Sequence, residues 1–493
     1  MDSTEQRLEP NEGPPNAAAA TTSPEDAAHI LARLERLDVW SLSAMFIGII
    51  GTGSLFILYD IFDINVAFVQ ACTQIVERCT PQTAVDHLGP PVLYHLVGYG
   101  IGTLILSPLS DRTGRRHMLM ITMLITGVGS VYSAMAMDMT NLNLSRFITG
   151  IGVGADIAVM NVYINEVAPR RGRAKYTSLI FTMSAVGALV GIWLGLLLTT
   201  PAAPWPHGLP FALASSAFTS GWRWMFAIGG ALAVIAVVCR FELPESPRWL
   251  LLRGRIAEAD RVVTAMESRA ARKGPLAEPQ PLTVSSAADT TGSYLALLRD
   301  SRYRLRIPGL LLTMLLGCVV LYTYAGGFTA VLSAQNYSPA EAGMIGAIGT
   351  LGFVATGVFT YLYVERLERQ QWVWIAAALN LVGGVIIALS GGNLLLASLG
   401  AIVLFFGFNI WVSPMYALTA ESFPTRNRTT GYALVDGIGH AGAGAALFLV
   451  VPVLPHVSLL GVFAIISGFL LLAAVAVQFT VRTRNRSLED ISP

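Results

Sequence analysis

Asp60 and Asp63 stand three residues apart inside an apolar stretch, so on a helix they share a face. Arg146 sits in another such stretch at a depth similar to Asp60, and Asp156 lies ten residues, or about 15 Å, beyond it. Asp436 and His440 stand four apart in a third stretch and can touch. A charge at bilayer depth costs roughly 2.5–3.5 kcal/mol on insertion scales, so each of these groups needs a partner or a function. The chemistry open to them is proton binding and release. His440 can be cationic toward an anionic solute, can itself titrate, or can rest neutral on Asp436. Asp156 has no charged neighbour in sequence and reads as a proton site, a solute ligand or a buried neutral acid. Asp63 reads as a residue of the outer mouth, and His95 as a weaker candidate. Enzyme chemistry has no support, with no nucleophile–base pair, metal-ligand cluster or ATP-binding motif. Gly150, Gly152 and Gly154 fall inside an apolar helix with no strand before them, which points to close helix packing rather than a nucleotide loop. Cys72, Cys79, Cys239 and Cys318 are scattered; only the first two share a loop, where a disulfide is open. No metal and no cofactor are expected.

The elements that must position these groups are legible in the composition. The 493 residues are 54% apolar and 13% charged, against about 25% charged in soluble proteins. Continuous rather than alternating apolar runs exclude a β-barrel and predict an all-α polytopic membrane protein with twelve spans. They read as 43–69, 92–109, 118–137, 142–167, 176–199, 224–238, 307–331, 342–364, 372–389, 394–419, 430–454 and 459–479. Of 32 Lys and Arg, 29 fall on the side of the termini, and Arg78 alone lies on the other side. Twelve of the 29 belong to one long loop; without them the asymmetry still predicts cytoplasmic termini. The net charge of +1 gives no argument for nucleic acid. Residues 1–40 form a disordered cytosolic segment with a short amphipathic stretch, lacking the order of a cleavable signal. Two six-helix bundles, 41–240 and 306–480, flank a cytosolic loop, 241–305, and a tail follows at 481–493. An internal repeat supports the halves: Glu166, Pro169 and Arg173 recur as Glu421, Pro424 and Arg428, offset by 255. Asp111, Arg112 and Arg115 recur as Glu365, Arg366 and Arg369, offset by 254. Such halves are the architecture of alternating-access carriers.

Ser107-Pro-Leu-Ser-Asp111-Arg112-Thr-Gly114-Arg115-Arg116 resembles the loop motif of the major facilitator superfamily. Pro244-Glu245-Ser-Pro-Arg248-Trp249-Leu250, Gly221-Trp-Arg-Trp224 and Arg146 through Gly154 to Tyr163 and Glu166 resemble its sugar-porter and organic-ion branches. The resemblance covers 31–481 and implies the major facilitator fold of two pseudo-symmetric bundles. Leu31 to Leu37 with Tyr59-Asp60-Ile-Phe62 resembles metabolite:H+ symporters related to niacin transporters and synaptic-vesicle-like glycoproteins. Gly51 to Asn65 with Gly154-Ala-Asp156 is similar to phosphate:H+ symporters, but Ile57 replaces an expected Asp and the seventh span carries no charge.

This resemblance implies an Asp60–Arg146 pair for proton coupling, with a static structural pair as the plain alternative; Asp156 is a second candidate. It also implies a cytoplasmic gate whose ion pairs join the halves: Asp111, Arg112, Gly114, Arg115, Arg116, Glu166, Arg173, Glu245 and Arg248, with Glu421 and Arg428 as counterparts. Surface charge binding lipid phosphate is the alternative for these. The expected solute ligands are Asp156, Tyr322, Tyr324, Asn409, Trp411, Asp436 and His440, with Tyr99 and Tyr416 nearby. The function expected is proton-coupled symport of a small polar or anionic organic solute by a monomer in the plasma (inner) membrane, its partners being solute, protons and lipid. Phosphate symport and proton-antiport efflux stand as alternatives. A sensor lacks the expected signalling extension, since about a dozen residues follow Phe479. Two Lys against thirty Arg suggest a GC-rich, bacterial genome.

Overall fold

The computed structural model describes residues 24–37, 41–169, 173–279, 294–335, 337–423, 428–484 and 491. Residues 1–23, 280–293 and most of the tail, expected as disordered segment, linker and cytosolic end, lie outside the described residues. Twelve helical segments are long and apolar enough to cross a membrane. In the first half these are α2 (Ala44–Ile75), α3 (Ala84–Thr113), α4 (Arg115–Ala134), α5 (Met139–Val167), α6 (Arg173–Thr199) and α7 (Gly221–Arg240). In the second they are α11 (Ser301–Ala334), α12 (Pro339–Tyr363), α13 (Arg369–Ala388), the joined α14 (Leu394–Asn409) and α15 (Val412–Glu421), α16 (Arg428–Val450) and α17 (Leu459–Ala476). Four short helices occupy the face of the termini: α1 (Pro24–Glu35), α8 (Pro247–Leu252), α9 (Ile256–Ala271) and α10 (Tyr294–Arg299).

Local chemistry sets the ends. Ser43, Asp138, Asn393 and Ser458 accept from first-turn amides, and Ser338 with Glu341 forms a reciprocal capping box. Gly114, at φ +98°, makes the sharp turn between α3 and α4. The tenth span breaks at Ile410–Trp411, three to four residues before Pro414, whose ring and missing N–H interrupt the preceding turn. The second span starts earlier than expected. It runs through Pro90 and Pro91 because the carbonyls they free belong to the exposed end of α3. Cys72 and Cys79 form a disulfide at the end of α2.

The glycines of α5 have the packing role read from their spacing. A Cβ at Gly150 would lie 2.0 Å from the His95 carbonyl oxygen, and one at Gly154 2.3 Å from that of Tyr99. Gly98 and Gly102 of α3 meet α5 backbone in return. This close crossing holds His95 and Tyr99 against Arg146 and Thr149. The halves themselves meet closely where a Cβ at Gly100 would lie 2.8 Å from the Gly437 carbonyl oxygen.

On the terminal face α1 is the amphipathic segment expected there. Ile30, Leu34 and Leu37 pack with Val263 and Met266. Arg33 reaches Asp260 at 2.5 Å and Glu267 at 2.6 Å, and Arg36 reaches Glu267 at 2.6 Å. Burial alone would raise the Glu267 carboxyl; the two guanidiniums outweigh it and hold the carboxyl below its ordinary range.

Candidate functional site

Asp60, Asp63 and Arg146 converge inside the first half. Arg146 Nη1 lies 3.2 Å from Asp60 Oδ2 and 3.8 Å from Asp63 Oδ1, all three side chains being almost wholly buried. Ser130 Oγ donates to Asp60 Oδ1 at 2.5 Å, and Arg146 Nη2 donates to the Asp60 backbone carbonyl at 2.8 Å. The guanidinium is thus shared between a carbonyl and two carboxylates, a looser arrangement than a bidentate pair. Asp63 is not a mouth residue: it is fully buried, three residues along the same helix face, and drawn to the same arginine.

Asp156 stands elsewhere. Arg240, at the end of α7, grips both its oxygens, with Nη2 to Oδ2 at 2.8 Å, and Thr122 Oγ1 donates to Oδ1 at 2.6 Å. Its expected roles were proton site and solute ligand; the structure shows it in an ion pair tying α4, α5 and α7 within one half. The charged neighbour that sequence lacked is 84 positions away, and Gly53 leaves room for its guanidinium.

A second polar cluster lies on the seam between the halves. Tyr99 of α3 donates its hydroxyl to Asp436 Oδ2 at 2.9 Å, and its ring stacks on His440 with centroids 3.9 Å apart. His440 Nδ1 lies 2.8 Å from the Asp436 carbonyl oxygen and 3.4 Å from Asp436 Oδ1, which makes Nδ1 the donor. Its Nε2 then faces the Cys318 thiol at 3.5 Å. Tyr322 meets His440 edge-on at 5.6 Å, and Asn161 donates across the seam to the Tyr432 hydroxyl at 3.1 Å. Trp411 covers Gly317, and with Met314, Cys318, Leu321, Val412 and Tyr416 it bounds a small pocket.

One expected ligand stands back from this cluster. Tyr324 turns into the second half, against Phe328 and Phe408, with its hydroxyl on Asn380. Only its backbone carbonyl faces the seam, taking a bond from Asn65 at 2.8 Å. Asn409 is buried at the end of α14, before the Ile410–Trp411 break. Asn65, which the sequence did not single out, also bonds the Ala325 carbonyl and accepts from Thr329, closing the seam toward the face away from the termini.

At the terminal face the described ion pairs run within each half. Arg115 binds Asp111 at 2.7 Å and Glu166 at 2.9 Å. Its counterpart Arg369 binds Glu365 at 2.9 Å and lies 3.8 Å from Glu421. Across the seam, Thr429 Oγ1 donates to Asp111 Oδ1 at 3.4 Å. The expectation that these ion pairs join the halves is corrected for Arg115 and Arg369, which find their acids on adjoining helix ends of their own half. Glu245 serves α4, accepting from the Arg115 amide at 2.9 Å and from Arg116, beside Gly114. Burial raises the Glu245 carboxyl against these amide bonds. Arg248 pairs with Glu35 of α1, and Arg112 is exposed. Arg428 is buried; the side chain of Arg173 and residues 424–427 lie outside the described residues.

Residues 45–493 match the family described as Sugar (and other) transporter. The chain belongs to that family. This major facilitator carrier is a transporter, not an enzyme. It is 29% identical to the 4-hydroxybenzoate transporter PcaK of Pseudomonas putida over 72% of this chain and 75% of that one. It is 28% identical to the arabinose-proton symporter of Bacillus subtilis over 80% and 84%. The proton:xylose symporter XylE, solved bound to 6-bromo-6-deoxy-D-glucose, has the same fold, with TM-score 0.67 at 20% identity over 94% of this chain and 99% of that one.

Proposed function

We propose that the transporter is a proton-coupled symporter of a small organic anion, with aromatic carboxylates as the favoured class. It sits in the plasma membrane with both termini cytoplasmic, the side to which its Lys and Arg are biased. The carrying observation is the loose, buried triad of Asp60, Asp63 and Arg146. When a carboxylate is ionised the arginine holds α2 to α5; when it is protonated that hold weakens and the halves rock.

The solute class is supported by the seam. Tyr99, Tyr322, Tyr416 and Trp411 offer ring surfaces, and His440, when it takes a second proton at Nε2, offers an N–H for a carboxylate. The likeness to a 4-hydroxybenzoate carrier points the same way. Buried between the closed ends of the seam, such a solute meets alternating access by parting of Asn65 from α11 on one side and of Asp111 from Thr429 on the other.

The test uses purified protein in proteoliposomes with labelled 4-hydroxybenzoate, and D-xylose as comparison. Acid outside should drive accumulation of the benzoate, and Asp60→Asn should abolish that drive. Accumulation upon acidification of the interior instead identifies an exporter and contradicts the reading.

A further inference from the structure

His95 has a part in neither cluster described above, yet it lies between them. It shares a face of α3 with Tyr99, four residues on, and its ring is almost wholly buried. Nδ1 lies 3.2 Å from Thr149 Oγ1, and that hydroxyl donates its single hydrogen to the Arg146 carbonyl at 2.9 Å. Nδ1 must therefore carry the imidazole hydrogen. Nε2 is left as a basic lone pair, buried and without a hydrogen-bond partner among the described residues. On one side Thr149 joins it to the backbone of Arg146, which pairs with Asp60 and Asp63. On the other, Tyr99, one turn along α3, stacks on His440 and donates to Asp436.

We propose that His95 is a titrating link between the Asp60–Asp63–Arg146 triad and the Tyr99–Asp436–His440 cluster, passing protonation of one to the other. The link rests on the symport reading. An ionised carboxylate at Asp60, Asp63 or Asp436 favours the imidazolium, which forms when Nε2 takes a proton from water reaching the open seam and keeps its Nδ1–H on Thr149. The imidazolium returns to neutral by giving that proton back to water once those carboxylates are themselves protonated, so the charge on His95 carries the state of one cluster to the other. An unpartnered buried nitrogen is otherwise an unbalanced desolvation, and a proton position explains it.

The test is ¹³C nuclear magnetic resonance of the full chain labelled at histidine Cε1, in detergent, titrated with pH and without any solute. Seven histidines give a readable spectrum, and the signal missing from His95→Gln is that of His95. Should that variant fail to fold, Thr149→Val makes the assignment by moving the signal of the imidazole it faces. The link predicts that the His95 midpoint moves by about one pH unit in Asp60→Asn and again in Asp436→Asn. A midpoint that answers to one variant only, or to neither, overturns it. Uptake of 4-hydroxybenzoate that ignores the pH gradient in the unmodified protein sinks the symport reading instead, and is told apart because the resonance experiment involves no transport.

Discussion

Tyr99 and Asp436 are 337 positions apart and belong to different halves, yet the phenol hydroxyl of one donates to the carboxylate of the other at 2.9 Å. Under the proposed rocking of the halves, the bond is lost when the seam opens at this depth, which would make the affinity of Asp436 for a proton depend on the state of the carrier.

Tyr99→Phe keeps the ring stacked on His440 and removes the donor. A hydrogen bond to a charged group contributes about 1.5–3 kcal/mol, so 4-hydroxybenzoate uptake should fall roughly tenfold or more. The same loss in Asp436→Asn should not add to it, and a double-mutant cycle of initial rates reads that coupling directly.

The Asp156–Arg240 pair should matter to stability and not to coupling. Asp156→Asn leaves a buried guanidinium without its counter-charge, a loss of about 3–5 kcal/mol. The thermal midpoint of the purified protein should drop markedly while the pH profile of any remaining uptake keeps its shape; a displaced profile would return Asp156 to the proton path.

Backbone contact between α3 and α5 gives a sharper packing prediction. A methyl group at Gly150 meets the His95 carbonyl, whereas at Gly48 nothing lies within 4 Å. Gly150→Ala should therefore destabilise by about 1–3 kcal/mol, and Gly48→Ala should be neutral or gain up to about 1 kcal/mol. Thermal unfolding of the pair in one detergent decides this.

The clamp of α1 on α9 should weaken in acid. Glu267 is held below the ordinary carboxyl value of 4.5, so its stabilising pairs with Arg33 and Arg36 are present above that pH and are lost as pH falls through the lowered value. Amide exchange over residues 24–35, corrected for intrinsic rate, should lose protection in that window. At neutral pH, Glu267→Gln should expose Arg33 and Arg36 to trypsin faster than in the unmodified chain.

What the sequence disclosed follows from what spacing can encode. The bilayer demands long apolar runs, so all twelve spans were legible, and the repeat of Asp111 and Arg115 as Glu365 and Arg369 foretold two matching arginine sites. Spacing along one helix also put Asp60 beside Asp63 and Asp436 beside His440. It does not say which helix lies opposite. Arg240, at the end of α7, looked like loop charge until the fold brought it to Asp156, and Arg248 was expected at the seam but meets Glu35. Asn65 escaped and His95 stood only as a weaker candidate for the same reason, since their meaning lies in carbonyls and hydroxyls of other helices.

Protonation of the Asp60 and Asp63 carboxylates beside Arg146 is proposed to drive solute movement, and the most direct measurement is the accumulation ratio of 4-hydroxybenzoate in proteoliposomes against the imposed pH difference. One proton per solute predicts about a tenfold rise per pH unit, corresponding to 1.36 kcal/mol, over that in protein-free vesicles. A ratio no different from protein-free vesicles or from Asp60→Asn, at every pH difference, would contradict it.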